Sequence, residues 1–436
     1  MDEATLIAEF ERAVASRPPA PHLVAESLRL GRKIRLRRRL AAAATSALVV
    51  GLIAAIAPIA YGAHSRPAPT ARGHAALPET VYSASSNGLV TPIRVAGNVV
   101  RPGIQLARMV GQGAPLAVAP DGKVIYAASA FGEITPINLA SNTKGRPIRV
   151  ASHMLTTVLI TPDGRTAYVM EAGAGVIPVN LTRGRPGKLI RTTATQLVMT
   201  PDGKTIYAFD NYSRSVLPIR TATGTALKSI QVGERPDGTM DIAASPDSAT
   251  VYVLSGSPSK SGGQITPVST ATDTPQPPIK LTGGVMDMAI SPNGRTAYVT
   301  DYTRQHRYAL LPVDLAARKV LRPISLPAQL YDLSGLVFTA NGSMAYIAIG
   351  SSPDTHRATE LIPISTATNT GLAPVRLPVS RPVLIAVSPD SSTVYVTGEL
   401  LSNWEKYAVF PVRTGANSPG RPVAVPANPV ALVFAP

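Results

Sequence analysis

From Val81 onward, apolar and polar positions alternate with a period of two in short bursts, and the bursts recur as a unit. Eight times the chain lays down an apolar run, a Pro-Asp-Gly-type turn, a strand centred on Tyr and a strand with Pro at its middle. Short alternating runs bounded by Pro, Asp, Asn and Gly predict half-buried β-strands joined by tight turns. The repeat tyrosines are Tyr82, Tyr126, Tyr168, Tyr207, Tyr252, Tyr298, Tyr346 and Tyr395, spaced 39 to 49 residues apart. A period of about 40 to 50 residues made only of short strands predicts an all-β array of four-stranded blades, a β-propeller.

The turn is spelled APDG at Ala119–Gly122, TPDG at Thr161–Gly164 and Thr200–Gly203, SPDS at Ser245–Ser248 and Ser388–Ser391, SPNG at Ser291–Gly294 and TANG at Thr339–Gly342. Pro pre-sets φ at the first corner, Asp or Asn bonds back to the backbone, and Gly accepts the left-handed corner. Asp121, Asp163, Asp202, Asp247 and Asp390 are therefore read as turn residues rather than catalytic ones. Pro92, Pro136, Pro178, Pro218, Pro267, Pro312, Pro363 and Pro411 hold one register in the third strand. Each removes a ladder donor, which predicts a bulge or an unpaired position at the same point of every blade.

The two ends of the array complement each other. The chain stops at PVALVFAP, Pro429–Pro436, a first strand without its second, and the array begins at ETVYSAS, Glu79–Ser85, a second strand without its first. Joining them predicts an eight-bladed ring closed by the C-terminal strand, with no exposed edge left over. A seven-bladed ring is the alternative and requires one unit to be misread.

Four strings carry a family likeness: ITPVSTATDT from Ile265, LIPISTATNT from Leu361, AISPNGRTAYVT from Ala289 and AVSPDSSTVYVT from Ala386. Over residues 79 to 436 the chain resembles the YVTN-type β-propeller repeat family, whose members include surface-layer and binding proteins and many exported ones. The resemblance implies the fold and an extracytoplasmic setting. The regular third-strand Pro departs from the commoner "VSVID" form, and family members are more often seven-bladed.

Ahead of the array, residues 1–39 form a predicted cytoplasmic segment, 40–63 a transmembrane signal-anchor, 64–78 a Pro- and Ala-rich stalk, and 79–436 the propeller. Leu40 to Ala63 contains 24 residues without Lys, Arg, Asp or Glu. At ~1.5 Å per helical residue this is ~36 Å, enough to cross a bilayer. Arg32, Lys33, Arg35, Arg37, Arg38 and Arg39 precede it, which predicts a single-pass cell-membrane protein with its N-terminus inside and its propeller outside. A cleaved signal is the competing reading, but 39 residues before the apolar run exceed an ordinary n-region. Leu6, Ile7 and Phe10 fall at helical spacing in the first segment and offer a face to a cytoplasmic partner.

Composition then narrows the function classes. With 45% apolar and 16% charged residues the chain is neither disordered nor a polyelectrolyte, and with no Cys it has no disulfide or thiolate metal site. Its net charge is +16, and beyond residue 79 there are 31 Lys and Arg against 20 Asp and Glu. The exported side is thus the basic side, suited to an anionic wall polymer or an acidic envelope protein. Nucleic acid is not expected, because the domain is placed outside the cell and one Trp and 6 Phe give few stacking platforms.

Chemistry is sparse. Only His153, His306 and His356 fall in the array, and GxSxG and HExxH strings are absent. This argues against an enzyme, and no catalytic residue, metal site or cofactor is assigned. A lactonase- or lyase-type propeller enzyme and a transmembrane sensor acting through the cytoplasmic helix are the alternatives to a binding or scaffolding module.

Two groups of candidate ligand-binding residues remain. Asp241 and Asp287 stand five positions before the turn, or its equivalent, in neighbouring first strands, with Thr157 and Gln196 at that position in the two preceding blades. Two carboxylates at a channel mouth suit a cation or an amine. The other group comes from the segments between strands two and three, which lengthen in the last four units to SGSPSKSGGQ, DYTRQHRY, GSSPDTHRATE and GELLSNWEKY. Arg304, Arg307, Arg357, Trp404 and Lys406 are expected to form a basic and aromatic rim there, on loops carried by a rigid scaffold.

Overall fold

The computed structural model describes residues 80–106, 116–232, 240–257, 260–302, 308–326, 332–333, 335–350, 358–380 and 384–435. The cytoplasmic segment, the transmembrane segment and the stalk expected from the sequence lie outside these residues.

The described residues are all-β and form eight separate antiparallel sheets, one per repeat, as an eight-bladed propeller. Blade 1 is composite. Pro429–Ala435 is its inner strand and pairs with Thr80–Ser85, which pairs with Leu89–Arg94. The ring therefore closes as the two ends of the sequence predict, and there are eight blades rather than seven.

The inner, second and third strands of the following blades are Leu116–Val118, Val124–Ala128 and Glu133–Asn138 in blade 2, and Leu155–Ile160, Thr166–Glu171 and Gly175–Asn180 in blade 3. Blade 4 has Gln196–Met199, Thr205–Asp210 and Ser215–Arg220, and blade 5 has Met240–Ala244, Thr250–Ser257 and Lys260–Ser269. Blade 6 has Gly284–Ile290, Thr296–Tyr302 and Tyr308–Asp314. In blades 7 and 8 the inner strand is split, as Asp332–Leu333 with Val337–Phe338 and as Val379–Ser380 with Ile385–Val387. Their second and third strands are Met344–Gly350 and Thr359–Ser365, and Thr393–Leu400 and Asn403–Arg413.

The third-strand Pro acts as its chemistry dictates. In all eight blades it stands opposite the repeat Tyr, as Tyr168 opposite Pro178 and Tyr207 opposite Pro218. Lacking an N–H, it can only accept from the outer side, and its carbonyl does so, from Arg101 at 2.9 Å in blade 1 and from Gly187 at 2.6 Å in blade 3. The outer strand breaks into two short pieces around that point, 185–186 and 190–191 in blade 3.

Between blades the sheets bury apolar faces, and the repeat Tyr adds a polar tie. The Tyr207 hydroxyl donates to Asp273 Oδ1 at 2.7 Å and the Tyr395 hydroxyl to Asn98 Oδ1 at 3.1 Å. In each case the acceptor lies in the outer hairpin turn of the next blade. Asp273 and Asn98 have φ of 52° and 53°, a left-handed corner that Asn and Asp tolerate best after Gly.

Candidate functional site

The turn carboxylates are occupied, as the sequence implies. Asp163 Oδ1 accepts from the Thr161 hydroxyl at 2.6 Å and the Arg165 amide at 3.0 Å, and the Thr161 bond holds its carboxyl below the usual range. Asp247 is held down the same way by Ser245 and the Ala249 amide. These groups are consumed by the fold.

Asp241 and Asp287 share one structural register. Thr157, Gln196, Asp241 and Asp287 stand opposite Met170, Phe209, Leu254 and Thr300, each two residues after the repeat Tyr of its blade. The register sits near the start of the inner strands, the end from which the strand-two to strand-three hairpins also emerge. A β-bulge precedes Thr157 and Asp287 in their strands, a device that re-aims the side chain beyond it.

Packing shows which way these side chains face. Phe209 and Val198 of blade 4 pack with Ile242, Val251 and Val253 of blade 5, so the face carrying Gln196 is turned to the strand carrying Asp241. Leu254 of blade 5 packs with Val285 and Met288 of blade 6, so Asp241 faces blade 6 in turn. Asp241 is 1% exposed. Its Oδ1 accepts the Ile242 amide at 2.8 Å, and its Oδ2 reaches across the seam to the Met288 amide at 3.0 Å. The same Met288 amide also donates to Asp287 Oδ1 at 2.9 Å.

One N–H cannot neutralise two carboxylates. Burial, then the neighbouring Asp287 charge and a hydrogen bond between the two side chains, push Asp241 well above the ordinary carboxyl range. The closeness of the two carboxyls disfavours charge on Asp241. Among the described residues, neither carboxylate forms an ion pair. Asp241 is thus buried in an interblade seam, while Asp287 is half-buried.

A second polar register escaped the sequence reading. Three residues after the repeat Tyr stand Ser85, Ser129, Glu171, Asp210, Ser255 and Asp301, all buried. The fixed offset from Tyr was the available signal. Two serve the hairpin ends, where Ser129 Oγ accepts the Phe131 and Glu133 amides and Asp210 Oδ1 the Tyr212 and Ser213 amides, whereas Glu171 Oε1 accepts the His153 amide of the connection into the inner strand and lies 2.9 Å from His153 Nδ1. Asp301 differs, because burial pushes its carboxyl up and its Oδ1 has no hydrogen-bond partner.

The expected rim divides. Arg304, Arg307 and Arg357 lie outside the described residues. Trp404 and the exposed Lys406 lie on the third strand of blade 8, Asn403–Arg413, and not on a loop. There the insertion extends the hairpin, with Leu400 opposite Asn403 and Glu399 opposite Tyr407. Blade 5 does the same with Ser257 opposite Lys260. Second strands of eight residues replace those of six in blades 1, 3 and 4. At ~3.3 Å per residue the added pairs extend these hairpins by ~7 Å. Among the described residues no three His, Cys, Asp or Glu side chains are grouped to hold a metal ion.

No protein-family model matches the chain, and no curated protein matches it. Solved structures do. A hydrazine synthase from Kuenenia stuttgartiensis is 17% identical with a TM-score of 0.53, over 71% of this chain and 98% of that one. The dihydro-heme d1 dehydrogenase NirN, solved in complex with DHE, is 14% identical with a TM-score of 0.66, over 84% and 77%. A eukaryotic initiation factor is 13% identical with a TM-score of 0.57, over 83% and 98%. Two enzymes and one initiation factor at such identities have the propeller in common with this chain and say nothing further about its chemistry.

Proposed function

We propose that the chain is a membrane-anchored, extracytoplasmic β-propeller of YVTN type that serves as a binding and scaffolding module of the cell envelope. The observation that carries this reading is the uneven length of the strand-two to strand-three hairpins. Blades 5 and 8 each gain ~7 Å of extra paired hairpin over blades 1, 3 and 4. Recognition surfaces are built by such excursions from a rigid scaffold. The partner class is an envelope protein or an anionic wall polymer, met by Trp404 and Lys406 together with Arg304, Arg307 and Arg357. The apolar segment 40–63 and the arginine run before it support single-pass anchoring with the propeller outside.

The test is co-sedimentation of the full chain in nanodiscs with isolated envelope fractions. Trp404→Ala with Lys406→Glu is expected to reduce capture at least about tenfold if Trp404 is an anchor. Raised salt is expected to weaken the charged part of the contact. Capture equal to wild type in the double variant overturns the rim assignment. A C-terminal reporter active only in the cytoplasm overturns the topology.

One observation favours a second reading. A buried carboxyl group pushed well above its ordinary range, as Asp241 is, is a general-acid candidate, which suits a propeller hydrolase or lyase. On that reading Asp241→Asn and Asp287→Asn abolish turnover while the rim variants leave it intact.

A further inference from the structure

Charge is spread unevenly around the outer strands of the ring. The outer strand of blade 2 comprises Thr143–Lys144 and Ile148–Arg149, and that of blade 3 Arg185–Pro186 and Ile190–Arg191. Segments 139–155 and 181–193, which carry them, hold seven Lys and Arg and no Asp or Glu. The matching segment of blade 5, 269–281, holds Asp273 and a single Lys. Two of the seven lie at the hairpin end of their blades, Arg149 opposite Glu133, with which it pairs, and Arg191 opposite Gly175. The other five, Lys144, Arg146, Arg183, Arg185 and Lys188, are exposed, and among the described residues none of them forms an ion pair. Lys144 Nζ donates to the Gln105 carbonyl at 2.7 Å, which leaves its charge uncompensated.

These groups form one patch. The outer strands of blades 2 and 3 touch, and a Cβ placed at Gly184 would lie 3.7 Å from Ile148 Cγ1. Lys123 and Arg165, both exposed, follow the strand-one to strand-two turns and extend the patch over the turn end of the two blades. Asp121 and Asp163 are the carboxylates at that end, so seven cations face two anions. The chain enters the propeller at the same end. Thr80, opposite Arg94 and Ala435, holds the position of Thr166 in blade 3, at the turn end of strand two. Residues 64–79 separate it from the apolar segment 40–63, a tether of ~58 Å at full stretch.

We infer, on the membrane-anchored reading above, that the turn end of blades 2 and 3 docks on the anionic phosphate headgroups of the bilayer that holds segment 40–63. Each Lys or Arg brought to an anionic bilayer strengthens the attraction roughly fivefold, about 1 kcal/mol. Guanidinium groups add paired donors that match phosphate oxygens. A tether to the same bilayer keeps the local concentration of headgroups high, so a contact that is weak in free solution suffices. Docking at the turn end leaves the opposite end, with the extended hairpins of blades 5 and 8, pointing away from the membrane and open to a partner.

Because the chain has no Cys, one introduced Cys places a donor fluorophore at a chosen end. Ala140→Cys marks the turn end of blade 2, and Tyr212→Cys marks the hairpin end of blade 4, where Tyr212 is 84% exposed. The full chain is placed in nanodiscs of phosphatidylcholine alone or of an equimolar mixture with phosphatidylglycerol, each with a headgroup acceptor. Energy transfer from the Ala140→Cys label is expected to rise with phosphatidylglycerol and to fall back in raised salt, whereas transfer from the Tyr212→Cys label does not rise. Arg146→Glu combined with Arg183→Glu and Arg185→Glu is expected to abolish the rise and to leave the melting temperature unchanged. Should that variant fold poorly by circular dichroism, Arg146→Gln with Lys188→Gln decides, and its docked-to-free ratio is expected to fall at least about fivefold. Equal transfer from the Ala140→Cys label in the two lipids, or variants that dock as wild type does, overturns the proposal. Inorganic polyphosphate that binds this face while the lipids leave transfer unchanged also overturns it, in favour of a soluble polyanion. Co-elution with the discs reads the anchor separately. A labelled chain that stays out of the discs is mixed with vesicles of the same two compositions, and the same comparison decides docking there.

Discussion

At the scale of the residue, the repeat Tyr shows how one side chain serves two neighbours. Its ring fills the seam, and its hydroxyl crosses to the next blade. In blade 6 the Tyr298 hydroxyl donates to Asn369 Oδ1 at 2.5 Å while the ring lies 5.6 Å from that of Phe338. Burial pushes the phenol up to about 12, so the hydroxyl stays protonated and donates at any physiological pH. Tyr298→Phe is expected to keep the ring contact, leave Asn369 without its donor and cost about 1 kcal/mol in denaturant unfolding. A change below about 0.3 kcal/mol, smaller than the ordinary range for a lost hydrogen bond, excludes the tie as a stabilising contact. The position of Tyr was legible in the sequence, but its partner was not, because that partner lies 71 residues away in the next unit. The same holds for the SPDS turns. Ser248 and Ser391 stand where other turns carry Gly, and at φ of 65° and 61° their hydroxyls accept the Asp202 and Ala340 amides of the preceding blade's turn. The burial of Gln196 and Asp241 was out of reach for the same reason. Register can be counted along the chain, whereas the seam that buries it is made by another repeat.

At the scale of the element, strand three and the broken outer strand were the readable part, since eight prolines in register dictate where the ladder loses its donor. What the sequence does not announce is how closely the outer piece approaches. Gly175 opens strand three of blade 3 at φ +143°, and a Cβ placed there would lie 2.1 Å from the Ile190 carbonyl oxygen. Backbone cannot yield as a flexible side chain does. Gly175→Ala is therefore expected to destabilise blade 3 by more than about 2 kcal/mol, through strain at a left-handed φ together with displacement of the outer strand. Equilibrium denaturation reads the loss, and hydrogen exchange at Arg191, paired opposite Gly175, localises it. An alanine variant as stable as wild type contradicts the close approach. The hairpins of blades 5 and 8 were misread as loops for a related reason. Insert length shows that something is added, but whether it pairs depends on cross-strand partners such as Glu399 and Tyr407.

At the scale of the whole molecule, closure rests on two contacts that join the ends of the sequence. The Tyr395 hydroxyl of blade 8 reaches Asn98 of blade 1, and Pro429–Ala435 enters blade 1 as its inner strand. The strand contributes more. Val430 and Ala431 pack toward blade 2 with Leu116 and Ile125, while Leu432 and Phe434 pack toward blade 8 with Tyr395 and Val409. A fully buried apolar side chain contributes about 1.5–3 kcal/mol. Losing Val430, Leu432 and Phe434 together thus removes an amount comparable with the 5–15 kcal/mol that keeps a typical domain folded. The single hydroxyl tie at Asn98 is worth about 1 kcal/mol and cannot compensate. Truncation after Asn428 is expected to leave Thr80–Ser85 as an unpaired inner edge and to abolish the cooperative unfolding transition or lower its midpoint steeply, with association of the exposed edges at raised concentration. Supplying the missing strand in trans, as a peptide of residues 429–436, is expected to restore part of the midpoint in proportion to its concentration, because a segment that binds only the folded ring stabilises it by mass action. A truncated chain that melts as wild type does, with or without the peptide, contradicts closure by this strand. A truncated chain that the peptide rescues shows instead that the other seven blades hold their arrangement and wait only for the eighth to be completed.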